Sequence, residues 1–354
     1  ELARFSEEHR RVQIPTITDP RGADLNAYQR INQDERYISL ERRAIDAFRS
    51  LGVMMTDTCI NYQTVMPPVH GEHLAMGDTG VVIYSNSVQG ARTNYEGGPA
   101  ALAAALTGRT ARYGFHLDEK RRGTARFELT ETPQSWSEWG ALGGVVGNAM
   151  GSYFQVPVID GVTGPAPTSD DLKHFGAALA SYGSTAMFHM VGVTPEAPDL
   201  ATVFDDPPPD PVTISRADLQ AFMKSYGGDD DSLDVVVFAA PQLSIMELEK
   251  LAGLMKGRQV HGDVSLLVAT NPENKNAADR FGFTETIENA GGIVLEGVCF
   301  YQMHARELGE ANGWTRLMTN SAKLTNIIGG YGYDPVLADM EGCVESAVAG
   351  RVVR

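Results

Sequence analysis

Hydrophobic and polar positions fall into a regular rhythm beyond Leu233. The segments LDVVVFA, VSLLVAT, IVLEGV and TRLMTN read as strands, and SIMELEKLAGLM, PENKNAADRFGFTETIENAGG, SAKLTNIIG and MEGCVESAVAG read as helices. Strands alternating with helices imply a parallel sheet with right-handed crossovers. Ligands on such sheets sit at the carboxyl ends of the strands. That rule singles out Ala240-Pro241-Gln242, Thr270-Asn271, Cys299 and Thr319-Asn320-Ser321 as one rim.

The first two hundred residues are less regular. Residues 1–10 read as the end of a helix, and residues 11–14 as a short strand leading into a Pro-bounded turn, residues 15–20. Residues 38–51 show apolar positions at helical spacing, closed by Gly52. The run Val81-Val82-Ile83-Tyr84 reads as a buried strand, and residues 99–106 as a helix. Strands are expected at 126–129, 153–159 and 186–191, and helices at 135–150, 168–181 and 215–226. Thr168 followed by Asp170-Asp171 is a helix-cap pattern. Residues 195–211, with six prolines and no periodicity, read as a linker between lobes 1–200 and 212–354.

Composition narrows the function classes. The 354 residues are 43% hydrophobic and 21% charged, an ordinary globular balance. No apolar run approaches the roughly 18–20 residues of a membrane span, and no signal peptide opens the chain. The expected location is therefore the cytoplasm. The first residue is not Met, so residues upstream are expected. A net charge of −16 argues against a nucleic-acid surface, which needs a clustered basic face.

Three cysteines do not make a disulfide framework. Cys299 stands at the carboxyl end of an expected strand and Cys59 in the polar turn Thr56-Asp57-Thr58-Cys59. Each reads either as a small buried hydrophobe or as a thiolate ligand for iron or an iron–sulfur group. Cys343 lies inside an expected helix, where packing is favoured. Ser321 would cap a helix whose first turn holds Lys323, a place suited to a carboxylate as well as to an ordinary cap. His70 and His73 lie three apart in a loop and read as metal-binding or structural. His116, Asp118, Arg121 and Arg122 read as acid–base groups or as a hydrogen-bonded hairpin, and Asp78-Thr79 as a substrate-binding pair or a cap. Dinucleotide, P-loop, GxSxG and HExxH motifs do not occur.

The runs Ser85-Asn86-Ser87-Val88-Gln89-Gly90-Ala91-Arg92-Thr93-Asn94 and Glu96-Gly97-Gly98-Pro99 resemble the aconitase X family of the aconitase superfamily. So do Gly71-Glu72-His73, Leu106-Thr107-Gly108-Arg109, His116-Leu117-Asp118-Glu119, residues 191–198 and Met318-Thr319-Asn320-Ser321-Ala322-Lys323, in the same order from about Pro15 to Gly350. The resemblance implies an aconitase-like, multi-lobed α/β/α architecture with mostly parallel sheets. It implies an iron–sulfur dehydratase that works with a small swivelling domain, fused or a separate subunit, not contained in this chain. Cys59 and Cys299 match family cluster ligands. Asp19-Pro20 and Asp78-Thr79 stand where the family contacts substrate, and Asn320 and Ser321 match the segment after the last ligand. Where the phosphomevalonate type has Gly-Cys-Pro-His, with a ligand cysteine, this chain reads Ala239-Ala240-Pro241-Gln242. Loss of that thiolate points to [2Fe-2S] over [3Fe-4S], [4Fe-4S] or mononuclear iron, with Cys343 as a replacement ligand if its helix reaches the site.

The resulting expectation is a lyase that eliminates water from cis-3-hydroxy-L-proline to give Δ1-pyrroline-2-carboxylate. Its alternatives are the large subunit of a mevalonate 5-phosphate dehydratase, a dehydratase of another small hydroxy acid, and a non-catalytic iron–sulfur or carboxylate-binding subunit. Lys323, Ser321 and Asn320 are assigned to the carboxylate, Asp78 and Thr79 to the ring amine or hydroxyl, and His116 and Asp118 are candidate bases. No nucleic acid or membrane partner is expected.

Overall fold

The nine strands described in this computed structural model, which covers residues 4, 8 and 10–353, form two sheets in which every pairing is parallel. Most of the helix end expected over residues 1–10 lies outside the described residues. The chain divides into two units, residues 66–104 with 109–225 and residues 1–65 with 105–108 and 226–354. The proline-rich stretch 195–211 falls inside the first of these and carries a short helix, Leu200–Val203.

In the 66–225 unit, strands β1 (Ala125–Leu129), β2 (Pro157–Asp160), β3 (His189–Met190) and β4 (Val212–Ile214) are ordered β3-β2-β1-β4. Residues 81–84 are not a strand; they belong to helix α1, Thr79–Ser87. Asp78 caps it by accepting the Val81 N–H at 3.0 Å. Every residue from Gly80 to Ser87 is buried. A helix buried all round is apolar all round and loses the 3.6-residue pattern that identifies an amphipathic one. The two expected strands at 153–159 and 186–191 shorten to β2 and β3.

Helices α2 (Trp136–Ala149) and α3 (Ser169–Gly183) pack backbone to backbone. A Cβ on Gly143 would sit 2.3 Å from the Phe175 carbonyl oxygen, and one on Gly147 would sit 2.7 Å from Tyr182 Cβ. The glycines that make this stretch look weakly helical are what let the two helices approach. Thr168 and Asp171 form a complete capping box at the start of α3.

In the other unit, β5 (Val235–Leu243), β6 (Ser265–Thr270), β7 (Gly292–Glu296), β8 (Arg316–Thr319) and β9 (Asp334–Leu337) are ordered β7-β6-β5-β8-β9. All nine residues of β5 are buried, as befits the central strand of a parallel sheet. β9, Asp-Pro-Val-Leu, has no strand signature and was not expected; edge position tolerates its proline. The long helical stretch after β6 is two helices, Pro272–Phe281 and Phe283–Asn289, broken at Gly282, whose φ of +76° is left-handed. Two further helices, α4 (Ala322–Ile328) and α5 (Met340–Ala349), follow β8 and β9.

Candidate active site

Four adjacent strands of the 226–354 sheet end at the same rim, and the side chains that gather there come from both ends of the sequence. Gln242, near the end of β5, is fully buried. Its Oε1 accepts the Cys59 N–H at 3.1 Å, and its own N–H donates to Cys59 Sγ at 3.4 Å. Its Nε2 donates to the carbonyls of Asp57 (3.1 Å), Val298 (3.2 Å) and Thr270 (3.4 Å). Cys299 directly follows Val298, so one amide joins the two segments that carry the thiols. Asn271, after β6, caps the next helix and donates to the hydroxyls of Thr58 and Thr64, each at 3.1 Å. The expected rim is therefore assembled.

A buried ion pair braces it. Arg21 Nε lies 3.3 Å from Asp57 Oδ2, both side chains 9% exposed. The Arg21 backbone N–H and Nη2 donate to the carbonyls of Gly297 and Glu296, each at 2.8 Å. Thr18 donates its hydroxyl to Asp57 Oδ1 at 3.0 Å. Burial pushes the Asp57 carboxyl up, and Arg21 and Thr18 pull it back. Burial likewise raises Glu41 and Glu296. Arg21 and Asp57 escaped the sequence reading because the pair is 36 positions apart and only the fold joins it.

At the end of β8, Asn320, Ser321 and Lys323 are all buried. The Ser321 hydroxyl donates to the Ala240 carbonyl at 2.6 Å and accepts the Leu324 N–H at 3.1 Å, so its single donor already has a protein partner. Lys323 Nζ stands 5.9 Å from the Tyr301 ring centroid. Pro20 is buried and Asp19 exposed. Cys343 is 0% exposed on α5, and burial, with Asp339 and Glu341 nearby, pushes its thiol well up. Among the described residues, no three Cys, His, Asp or Glu side chains make a group able to hold a metal, so Cys343 does not complete a ligand set with Cys59 and Cys299. Its helix packs its buried face, Cys343 included, into the core. A cavity of about 440 Å³ in this unit is lined by Tyr301, His304 and Arg306 rather than by the thiols.

The other candidates lie in the 66–225 unit. The Asp78 carboxylate caps α1, whose first residue is Thr79. His73 pairs with His116, not with His70: the two Nδ1 atoms are 2.8 Å apart. His116 is buried, and its Nε2 has no hydrogen-bond partner among the described residues. Burial first, then His73 and the cations Arg121 and Arg92, pull its pKa down to about 4. Asp118 is exposed and paired with Arg92 at 2.5 Å, a hydrogen bond and charge that hold its carboxyl below the usual range. A cavity of about 540 Å³ is lined by both histidines, Arg92, Arg112, Asp118 and Glu119.

Arg121 is a buried hub, not a surface group. It donates to both Glu196 carboxylate oxygens, to Asn86 Oδ1 and O, and to the Phe115 carbonyl. Asn86 in turn bonds Thr93 N–H and O and the Ala186 carbonyl. The polar run around Ser85–Asn94 is therefore an internal scaffold.

Residues 1–119, 123–224 and 233–349 match the family models for the aconitase X first, second and third domains. The chain is 36% identical over 93% of its length to the phosphomevalonate dehydratase large subunit of Methanothermobacter thermautotrophicus, covering 79% of that protein. It is 31% identical over 98% of its length to the cis-3-hydroxy-L-proline dehydratase of Pseudomonas aeruginosa, spanning 61% of that longer protein. The crystal structure of Thermococcus kodakaraensis aconitase X in its holo-form superposes with a TM-score of 0.85 at 29% identity, over 98% of this chain and 84% of that one.

Proposed function

The chain belongs to the aconitase X family and is a dehydratase of it, a hydro-lyase, and on that premise we propose that it removes water from a small β-hydroxy acid, mevalonate 5-phosphate ahead of cis-3-hydroxy-L-proline. This reverses the order expected from the sequence. The first substrate is supported by the higher identity and the fuller coverage of the relative named for it, 36% and 79% against 31% and 61%. The lost cysteine at Ala240 had favoured the second.

Both substrates undergo one reaction: a proton leaves the carbon beside the carboxylate, hydroxide leaves the next carbon, and one water is released. Negative charge spreads onto the carboxylate as the proton departs, so a fixed cation and donors there lower the barrier. We assign Lys323 and Asn320 to that task. The observation that carries the reading is their place with Gln242, Asn271 and Cys299 at the carboxyl ends of adjacent parallel strands. Asp19 and Pro20, in the same unit, are assigned to the rest of the substrate.

Kinship with aconitases suggests an iron–sulfur cluster. Clusters are held by several cysteine thiolates. Cys59 and Cys299 are the suitable thiols here, and no third donor of the described residues joins them. The described residues of this chain do not complete a cluster site.

Following both substrates by proton NMR, with the chain and a small subunit present, tests the reading. Turnover of either with release of one water is the expected result. Lys323→Ala is expected to lower kcat/KM about 100-fold, the range seen for removing one transition-state donor. Folded protein inactive on both substrates would overturn the proposal.

A further inference from the structure

The place where a third thiolate would be needed is filled by carbon and by an amide. Ala240, packed in the same hydrophobic cluster as Cys299, offers only a methyl group. Its φ of +56° and the Ser321 hydrogen bond to its carbonyl fix the backbone there. Two residues on, Gln242 bonds Cys59 and the carbonyl of Val298, the residue before Cys299. Its partners are the N–H and Sγ of Cys59 and the carbonyls of Asp57, Thr270 and Val298, drawn from three separate stretches of chain. A cluster bound by cysteines from separate stretches joins those stretches covalently through its metals. Gln242 already joins the same stretches through buried hydrogen bonds, which strengthen one another where water is excluded.

We infer that Gln242 replaces a metal centre as the cross-link of this rim, and that the chain folds and keeps its site without an iron–sulfur cluster. The inference goes beyond the dehydratase reading. It is tested by metal content and heat stability, whereas that reading is tested by turnover, so either can fail while the other stands.

The experiment is anaerobic reconstitution of the full chain with ferrous iron, sulfide and a thiol reductant, followed by desalting. Iron, acid-labile sulfide, visible absorption and the thermal midpoint are then measured. The wild type is expected to retain far less than one iron per chain, to show no sulfur-to-iron charge-transfer band, and to melt at the same temperature before and after. Ala240→Cys is expected to raise retained iron and sulfide severalfold. Gln242→Ala is expected to lower the metal-free midpoint by several degrees; should it not fold, Gln242→Glu, which keeps the length but removes the Nε2 donors, is expected to do the same. Two or more irons with matching sulfide held by the wild type through desalting would overturn the inference. A Gln242→Glu midpoint equal to the wild type would overturn the cross-linking role.

Discussion

Arg21 and Asp57 show how much of the rim depends on charges that the sequence scatters. Removing one partner of a buried pair leaves the other desolvated, a loss of about 3–5 kcal/mol in comparable sites. Arg21→Met is therefore expected to destabilise the protein by about that amount, and Asp57→Asn by less, read as shifts of the urea midpoint. His116 behaves differently. Its pKa falls from 6.5 to about 4 on folding, so between those values the unfolded chain binds more protons than the folded one. Stability from this group is fully present above pH 6.5 and drains away as the pH falls toward 4. Urea midpoints measured from pH 7 to 4 are expected to decline less steeply in His116→Asn than in the wild type. An identical decline in both would contradict the assigned pKa.

The local patterns that carry element identity are caps, breakers and periodicity, and they worked where the element has an exposed face. The helix Glu35–Leu51 announces itself by spacing and by Gly52, and α3 by its capping box. α1 does not, because burial on all sides erases the contrast between faces. Contact between α2 and α3 is set by absent side chains. Gly143→Val would force branched carbon into the Phe175 carbonyl, and an overpacked core costs about 1–3 kcal/mol or more. The thermal midpoint of Gly143→Val is expected to fall accordingly, while Gly253→Ala, exposed in the helix Ile245–Met255 with open space around its Cβ, is expected to leave it unchanged or raise it slightly.

At the scale of the whole molecule, the strands form two all-parallel sheets, and the strand ends of one collect Cys299, the Gln242 amide bonded to Cys59, and the buried lysine. Among the described residues no helix is long and apolar enough to cross a membrane. The curated relative of higher identity is named as a large subunit, which motivates a further prediction. Water elimination by the chain is expected to rise at least tenfold on adding a small subunit, measured at fixed substrate. Equal rates with and without it would show that this chain carries every residue the reaction needs.

Read by itself, the sequence determined what short-range chemistry encodes: the alternating strands and helices after Leu233, the caps, the family fingerprint, and the residues standing at strand ends. Caps and periodic faces are properties of a few consecutive residues, so a linear reading recovers them. Only the tertiary structure decided which of those residues meet. It brought Cys59 to Gln242 across 183 positions, paired His73 with His116 instead of His70, and turned the Ser85–Asn94 fingerprint into a buried scaffold around Arg121. It also committed the Ser321 hydroxyl to Ala240 and buried Cys343 on α5. Burial and long-range hydrogen bonding set the state of each of these groups, and neither is a property of neighbouring residues.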